Sequence, residues 1–162
     1  MKTLKKRRNK HKTDYSKRIK LLKSRSPRVV FRKTNRYVTA QYTTSKQAQD
    51  KIEIGVSSKH LMKYGWPKEL SGNLKSTPAS YLTGLLIGNK IIKSKLDMPI
   101  VDFGMIRVLH KTRVYAFLKG LIDTGIKINC KDNAFPSEER IKGEHMKNKI
   151  PFDEIKSKIE KI

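Results

Sequence analysis

Residues 29–44 read VVFRKTNRYVTAQYTT. Two runs within it, VVFRK (29–33) and RYVTAQYTT (36–44), alternate β-branched or aromatic residues with polar ones. That is the pattern of two half-buried strands. The connection is expected at Thr34-Asn35, because Asn accepts a turn with positive φ, although Thr is the poorer choice. With that loop, residue 33 faces 36, 32 faces 37, 31 faces 38 and 29 faces 40. Phe31/Val38 and Val29/Ala40 then share the core face, while Arg32/Tyr37, Val30/Thr39 and Arg28/Gln41 share the other. Arg28, Arg32, Lys33 and Arg36 crowd this short ladder, and like charges facing each other across a ladder are destabilising. A negative counterpart outside the hairpin is implied.

Working outward, KIEIGVSS (51–58) reads as a third strand, and KHLMKYGW (59–66) as a short helix stopped by Gly65 and Pro67. The loop LSGNLKS (70–76) leads to the strongest helix signal. Thr77 is placed as its N-cap and Pro78 as its first residue. Leu82, Leu85, Leu86, Ile92 and Leu96 keep a helical stripe, and Gly84 and Gly88, one turn apart, predict close packing on a sheet. MPIVDFG (98–104) reads as a buried strand. Thr112 can cap a helix over 113–125 with Val114, Phe117, Leu118, Leu121 and Ile122 on its apolar face, stopped by Gly125. IKIN (126–129) reads as a short strand and 151–162 as an amphipathic helix. Upstream, YSKRIKLLKSR (15–25) predicts a basic helix capped by Asp14 and ended by Pro27. The order β-β-β-α-β-α, flanked by basic tails, predicts an α/β fold with a right-handed crossover onto a mixed sheet.

The whole chain repeats the charge bias of the hairpin. Its 162 residues hold 38 Lys/Arg against 14 Asp/Glu, a formal net charge of +24. Such self-repulsion opposes a compact state and points to a polyanionic partner. Residues 1–28 contain twelve or more cations and one acid, Asp14. The run KKRRNKHK (5–12) repels itself and buries nothing, so it is expected to be disordered when free. A lone Cys130 excludes an internal disulfide framework and a multi-cysteine zinc site. No apolar run approaches the roughly 18 residues of a membrane span, and no membrane partner is expected.

The basic face of the hairpin suits RNA. Lys and Arg neutralise phosphates, and Tyr37 beside Arg32 offers a stacking surface for an unpaired base. Carboxylates for a metal-dependent nuclease would have to come from Asp50, Glu53, Asp97, Asp102 and Asp123. Asp102 falls on the expected central strand, but Asp97 and Asp102 point to opposite faces if both lie in it. His11, His60, His110 and His145 are scattered without ligand spacing, and SGN (71–73) does not match a P-loop. No cofactor is expected. Three function classes remain: a structural RNA-binding protein, a metal-dependent nucleic-acid-processing enzyme, and a non-specific nucleic-acid packaging protein.

The blocks KTDYSKRIKLLKSRSPRVVFRKTNRYVTAQ (12–41), KYGW (63–66), STPASYLTGLLIG (76–88), RVYAFLKGLIDTG (113–125) and FPSEERIKGEHM (135–146) carry a specific likeness. Together they resemble the archaeal-type branch of the large-subunit ribosomal protein L-eighteen family, whose eukaryotic members are called L-five. The resemblance implies a structural, non-enzymatic protein of the cytoplasmic ribosome. It would bind 5S rRNA and attach it to large-subunit rRNA at the central protuberance, next to neighbouring ribosomal proteins. It implies a three-layer α/β domain over 27–130, with a basic N-terminal extension (1–26) and a charged C-terminal one (131–162). Its RNA contacts fall on Lys12, Thr13, Tyr15, Arg18 and Lys20 in the arm, and on Arg28, Arg32, Thr34, Asn35 and Arg36 in the hairpin. Asn73, Thr77 and Ser80 complete the set before and within the first long helix. Lys33 and Tyr37 join it from the reading of the hairpin itself.

Overall fold

In the computed structural model, which describes residues 13–47, 49–146 and 148–162, a four-stranded sheet forms the middle of three layers. Its strands are β1 (Arg28–Lys33), β2 (Val38–Lys46), β3 (Gln49–Ser57) and β4 (Ile100–Asp102), in the order β3-β2-β1-β4. The β1–β2 and β2–β3 pairs are antiparallel and β4 runs parallel to β1, so the sheet is mixed as expected. One face packs against α2 (Thr77–Lys93) and α3 (Arg113–Asp123), and α1 (Tyr15–Lys23) lies against the other.

The hairpin register differs from the expected one by two residues: Phe31 stands opposite Ala40 and Lys33 opposite Val38. Its loop is Asn35-Arg36, because Thr34 closes the turn. The Thr34 amide donates to the Tyr37 carbonyl at 2.8 Å, and the Thr34 hydroxyl accepts from the Tyr37 amide at 2.9 Å. A side chain thus supplies what a positive φ would have supplied; neither loop residue has one. A shift of two keeps every side chain on its face, so Val29, Phe31, Val38 and Ala40 are buried together, joined by Tyr42. Tyr37 does not pair with Arg32, whose partner is Thr39; it packs half-buried against the core. Further along, a bulge puts Ile54 opposite Tyr42 and Ile52 opposite Thr43. Ile54 therefore turns to the core and Ile52 stays exposed on the other face.

β4 is short and stands at the edge of the sheet, not in its centre. Asp102 ends it by accepting the Gly104 amide at 2.6 Å, and Gly104 turns the chain with φ +58°. IKIN forms no strand. The cap of α2 is Ser76, one residue earlier than expected; its hydroxyl accepts from the Ala79 amide. Residues Pro78 through Gly88 are buried on all sides, the signature of a central helix. Gly84 serves helix–helix contact rather than a sheet: a Cβ there would overlap the Phe117 carbonyl of α3, and one at Gly120 would overlap the Tyr81 carbonyl of α2. Phe117 also stacks on Phe31 with ring centroids 4.6 Å apart, tying α3 to β1. Thr112 precedes α3, but its hydroxyl donates to Leu109 instead of capping.

The C-terminal segment contributes to this core. α4 (Glu138–Lys142) buries Ile141, and α5 (Phe152–Glu160) buries Phe152, Ile155 and Ile159. The Asn89 side-chain amide donates to the Ile159 carbonyl at 3.0 Å, locking α5 to α2. The charges seen in the sequence are the solvent face of an amphipathic helix.

A short 3₁₀ helix over Ser58–Tyr64 follows β3 and is capped reciprocally. The Ser57 hydroxyl accepts from the Lys59 amide, and His60 Nδ1 accepts from the Ser57 amide at 3.2 Å. Gly65 ends it in the left-handed region. Burial, then the charges of Lys90, Lys63 and Lys59, hold the His60 pKa below its ordinary 6.5. The neutral ring is thus favoured by folding. Its contribution is complete above pH 6.5 and is lost as pH falls below it towards the folded value. We expect His60→Gln to flatten the dependence of urea midpoint on pH between 7 and 5, while wild type loses stability across that interval.

A candidate nucleic-acid interface

The sheet face away from the core is a chain of alternating charges. Arg28, on β1, is 1% exposed. Its guanidinium donates to Asp50 Oδ1 at 2.6 Å and to Ser45 Oγ at 2.8 Å, with Asp102 Oδ2 3.7 Å away. Asp50 Oδ2 also takes Arg18 of α1 at 2.9 Å. At the other end Asp102 Oδ2 takes Arg32 at 3.2 Å, and Arg32 donates further to the carbonyls of Asp102 and Phe31. Part of the negative counterpart implied by the hairpin is therefore inside the chain. Strand pairing brings Asp50 and Asp102 to Arg28 from β3 and β4, although the three are distant in sequence.

Burial by itself would raise the Asp50 pKa. The hydrogen bonds from Ser45 and Arg18 and the charges of Arg28 and Arg18 outweigh it and bring the carboxyl below its ordinary value. Those same contacts hold α1. None of its residues is fully buried, and Asp14 caps it by accepting from the Ser16 and Lys17 amides. It reaches the rest of the fold through the Arg18–Asp50 pair and through Lys17 Nζ, which donates to the Gly104 carbonyl at 3.1 Å. Between α1 and the end of β4 lies a cleft of about 120 Å³ lined by Thr13, Lys17, Arg18, Arg32 and Asp102 among others. It unites arm and hairpin: of the residues expected to touch RNA, it gathers Thr13, Arg18 and Arg32.

The remaining candidates are placed as follows. Lys12 lies outside the described residues. Tyr15 opens α1 half-buried, and Lys20 is exposed along it. Lys33, Thr34, Asn35 and Arg36 are exposed at the hairpin tip, and no ion pair among the described residues engages Lys33 or Arg36. Asn73 is exposed at the end of a second 3₁₀ segment (Lys68–Asn73), and Thr77 is half-buried in the first turn of α2; neither lines the cleft. Two candidates are buried in this structure. Arg28 is sealed between β-strands and satisfied by Asp50 and Ser45. Ser80 is 0% exposed and its hydroxyl donates to the Ser76 carbonyl at 2.9 Å. Neither reaches the surface.

Lys17 was not singled out in the sequence, yet it lines the cleft. Its position three residues after the Asp14 cap, one before Arg18, was the available signal. Among the described residues no group of three or more His, Cys, Asp or Glu could hold a metal ion. Four of the five carboxylates considered for a nuclease have partners within the chain: Asp50 and Asp102 arginines, Glu53 Lys51, and Asp123 the Tyr81 hydroxyl at 2.7 Å.

Comparison with known proteins identifies relatives of the chain. Residues 1–99 match the family model described as ribosomal large subunit proteins 60S L5 and 50S L18. A protein of Korarchaeum cryptofilum named large ribosomal subunit protein uL18 is 44% identical over 140 residues, covering 86% of this chain and 70% of that relative. Its namesake in Methanoregula boonei is 41% identical over 86% of this chain and 78% of its own length. That of Methanococcoides burtonii is 38% identical over 94% and 90%.

Proposed function

The chain belongs to the family of ribosomal large-subunit proteins that includes 60S L5 and 50S L18, and from that premise we propose that it binds 5S rRNA and attaches it to the large-subunit rRNA. Its role in the large subunit is that of a structural constituent. The observation that carries the RNA reading is the hairpin tip. Lys33 and Arg36 stand exposed there, with no ion-pair partner among the described residues, while Arg28 and Arg32 behind them are neutralised by Asp50 and Asp102. The inner arginines stiffen the hairpin and the outer cations meet phosphates. Arg18 and Lys17, held beside Arg32 in the cleft, extend the same basic surface onto α1. Phosphate contacts provide affinity, and the fold of the RNA with its unstacked bases provides selectivity. The interface proposed here comprises Lys12, Thr13, Tyr15, Lys17, Arg18 and Lys20 on the arm side, and Arg32 to Tyr37 on the hairpin side. Asn73 and Thr77 form a separate contact.

The test is binding to purified 5S rRNA against excess tRNA over a salt series. If roughly eight phosphates are neutralised, log K falls by about 6 to 7 per decade of salt. Arg36→Ala is expected to weaken binding and reduce that slope by about 1. Loss of 5S rRNA to tRNA at equal concentrations would overturn the specific reading and leave a polycation.

A further inference from the structure

Among the described residues, no strand pairs with the outer edge of β4. The Ile100 amide donates inward to the Pro27 carbonyl at 2.9 Å, so by strand alternation the amide and carbonyl of Val101 face outward. Along that edge runs an apolar groove of about 360 Å³, lined by Val101, Phe103, Val108, Leu118, Ile128 and Cys130 among others. Lys127, Ile128 and Asn129 of IKIN, a strand-like sequence that forms no strand in this fold, belong to the lining of the groove. Met98, Met105, Val108 and Leu109, four of the seven large hydrophobic side chains that stand most exposed, fall in the segment that enters and leaves β4. A chain of charge +24 has cations to spare for its surface, so a concentration of exposed apolar groups beside a free strand edge marks an interaction site.

We propose that this groove receives an extended protein segment, apolar with acidic flanks, that pairs with β4 as a fifth strand. The proposal rests on the large-subunit membership above, because the partner is a neighbour in that assembly. Among the described residues Lys127 is the only charged one lining the groove; of the charged residues exposed beside its walls in the chain, Arg107, Lys111 and Lys131 are basic and Asp97 and Asp132 are acidic, so the rim keeps a net positive charge. That rim favours carboxylates. It disfavours the chain's own basic N-terminal run and a second copy, both of which would bring more positive charge. Backbone pairing gives such a segment its affinity and the pocket gives it side-chain selectivity.

Cys130 and Lys127 are natural probes. In purified large subunits, N-ethylmaleimide should alkylate Cys130 at least tenfold more slowly than in the protein bound to 5S rRNA alone. Carbodiimide, which joins amines to carboxylates directly, should link Lys127 to an Asp or Glu of another protein, within a stretch holding alternating apolar residues. Lys127→Gln should abolish that link. It should leave 5S rRNA affinity unchanged, and that is read separately, so an empty groove and a failure to bind RNA give different results. Equal alkylation in the two states overturns the proposal. So does protection in which Lys127 yields no protein cross-link, or in which ultraviolet light links the groove to nucleotides.

Discussion

Replacing Asp50 with Ala should lower unfolding stability by about 3 kcal/mol, the scale for breaking a buried pair from one side. The reason is Arg28. It is fully buried, and Asp50 at 2.6 Å is its close carboxylate; what remains after the substitution is the Ser45 hydroxyl and Asp102 at 3.7 Å. A guanidinium without a counter-charge in that position has lost its water and gained little in return. Arg28→Met tests the same site from the other side. It removes the buried charge and leaves Asp50, which is partly exposed and still paired with Arg18, so it should cost less than Asp50→Ala. Urea titrations of the two variants decide the matter. If Asp50→Ala costs under about 1 kcal/mol, on the scale of an exposed pair, the network does not hold Arg28. The pH dependence carries the matching sign. The folded pKa of Asp50 is below the unfolded value of 3.8, so its contribution is complete above that pH and disappears as pH falls through and below it. Because Asp50 also anchors Arg18, Asp50→Ala should speed hydrogen exchange in α1, none of whose residues is fully buried.

That network also shows how far the sequence could be read. Alternation in 29–44 was sufficient to identify which side chains of the hairpin face inward, because parity survives a register shift of two. It could not locate the turn, since the deciding contact is a threonine side chain folding onto Tyr37. Helices at 15–23, 113–123 and 152–160 were legible from their periodicity and stop signals. What α5 packs against was not, because amphipathic charge looks the same on a tail and on a helix closing a core. IKIN has strand propensity and no strand partner, and propensity alone does not make a ladder. In the candidate interface, charge and composition identified the basic hairpin and arm. They did not tell which candidates are buried, because a one-dimensional tally cannot see that the Arg28 side chain is paired with Asp50 or that the Ser80 hydroxyl bonds back to Ser76. The excess of cations was evident from the start; which of them are neutralised internally depends on strand order.

The same limit governs a second large effect, at Gly120. Judged locally, Gly120→Ala should stabilise, because Ala exceeds Gly by about 1 kcal/mol in a helix interior. The structure predicts the opposite. The added Cβ would overlap the Tyr81 carbonyl oxygen and approach the Leu85 amide nitrogen to 2.9 Å. Both are backbone atoms of α2 and cannot rotate away, so the two helices must separate. Separation loosens Phe117 from Phe31 and strains the Tyr81–Asp123 hydrogen bond that ties the same helices together. Overpacking usually costs 1–3 kcal/mol and occasionally more. With two backbone obstacles we expect about 3 kcal/mol net, a melting temperature lower by roughly 6–12 °C for a chain of this size. Gly84→Ala meets the Phe117 carbonyl and should behave alike. The double variant should lose less than the sum, because one separation accommodates both methyl groups. The atoms nearest a Cβ at Gly88 belong to the Thr124 side chain, which can turn at the expense of its hydrogen bond to Leu121, so the cost of Gly88→Ala should be smaller. Gly72→Ala, with open space around the new carbon, should stay within about 0.5 kcal/mol of wild type. Thermal melts of the five variants order these effects. A Gly120→Ala protein as stable as wild type would mean that α2 and α3 do not approach closely enough to require glycine. At a temperature where the variant is still folded, its 5S rRNA affinity should match wild type, because the crossing lies on the opposite side of the sheet from Arg18 and Arg32.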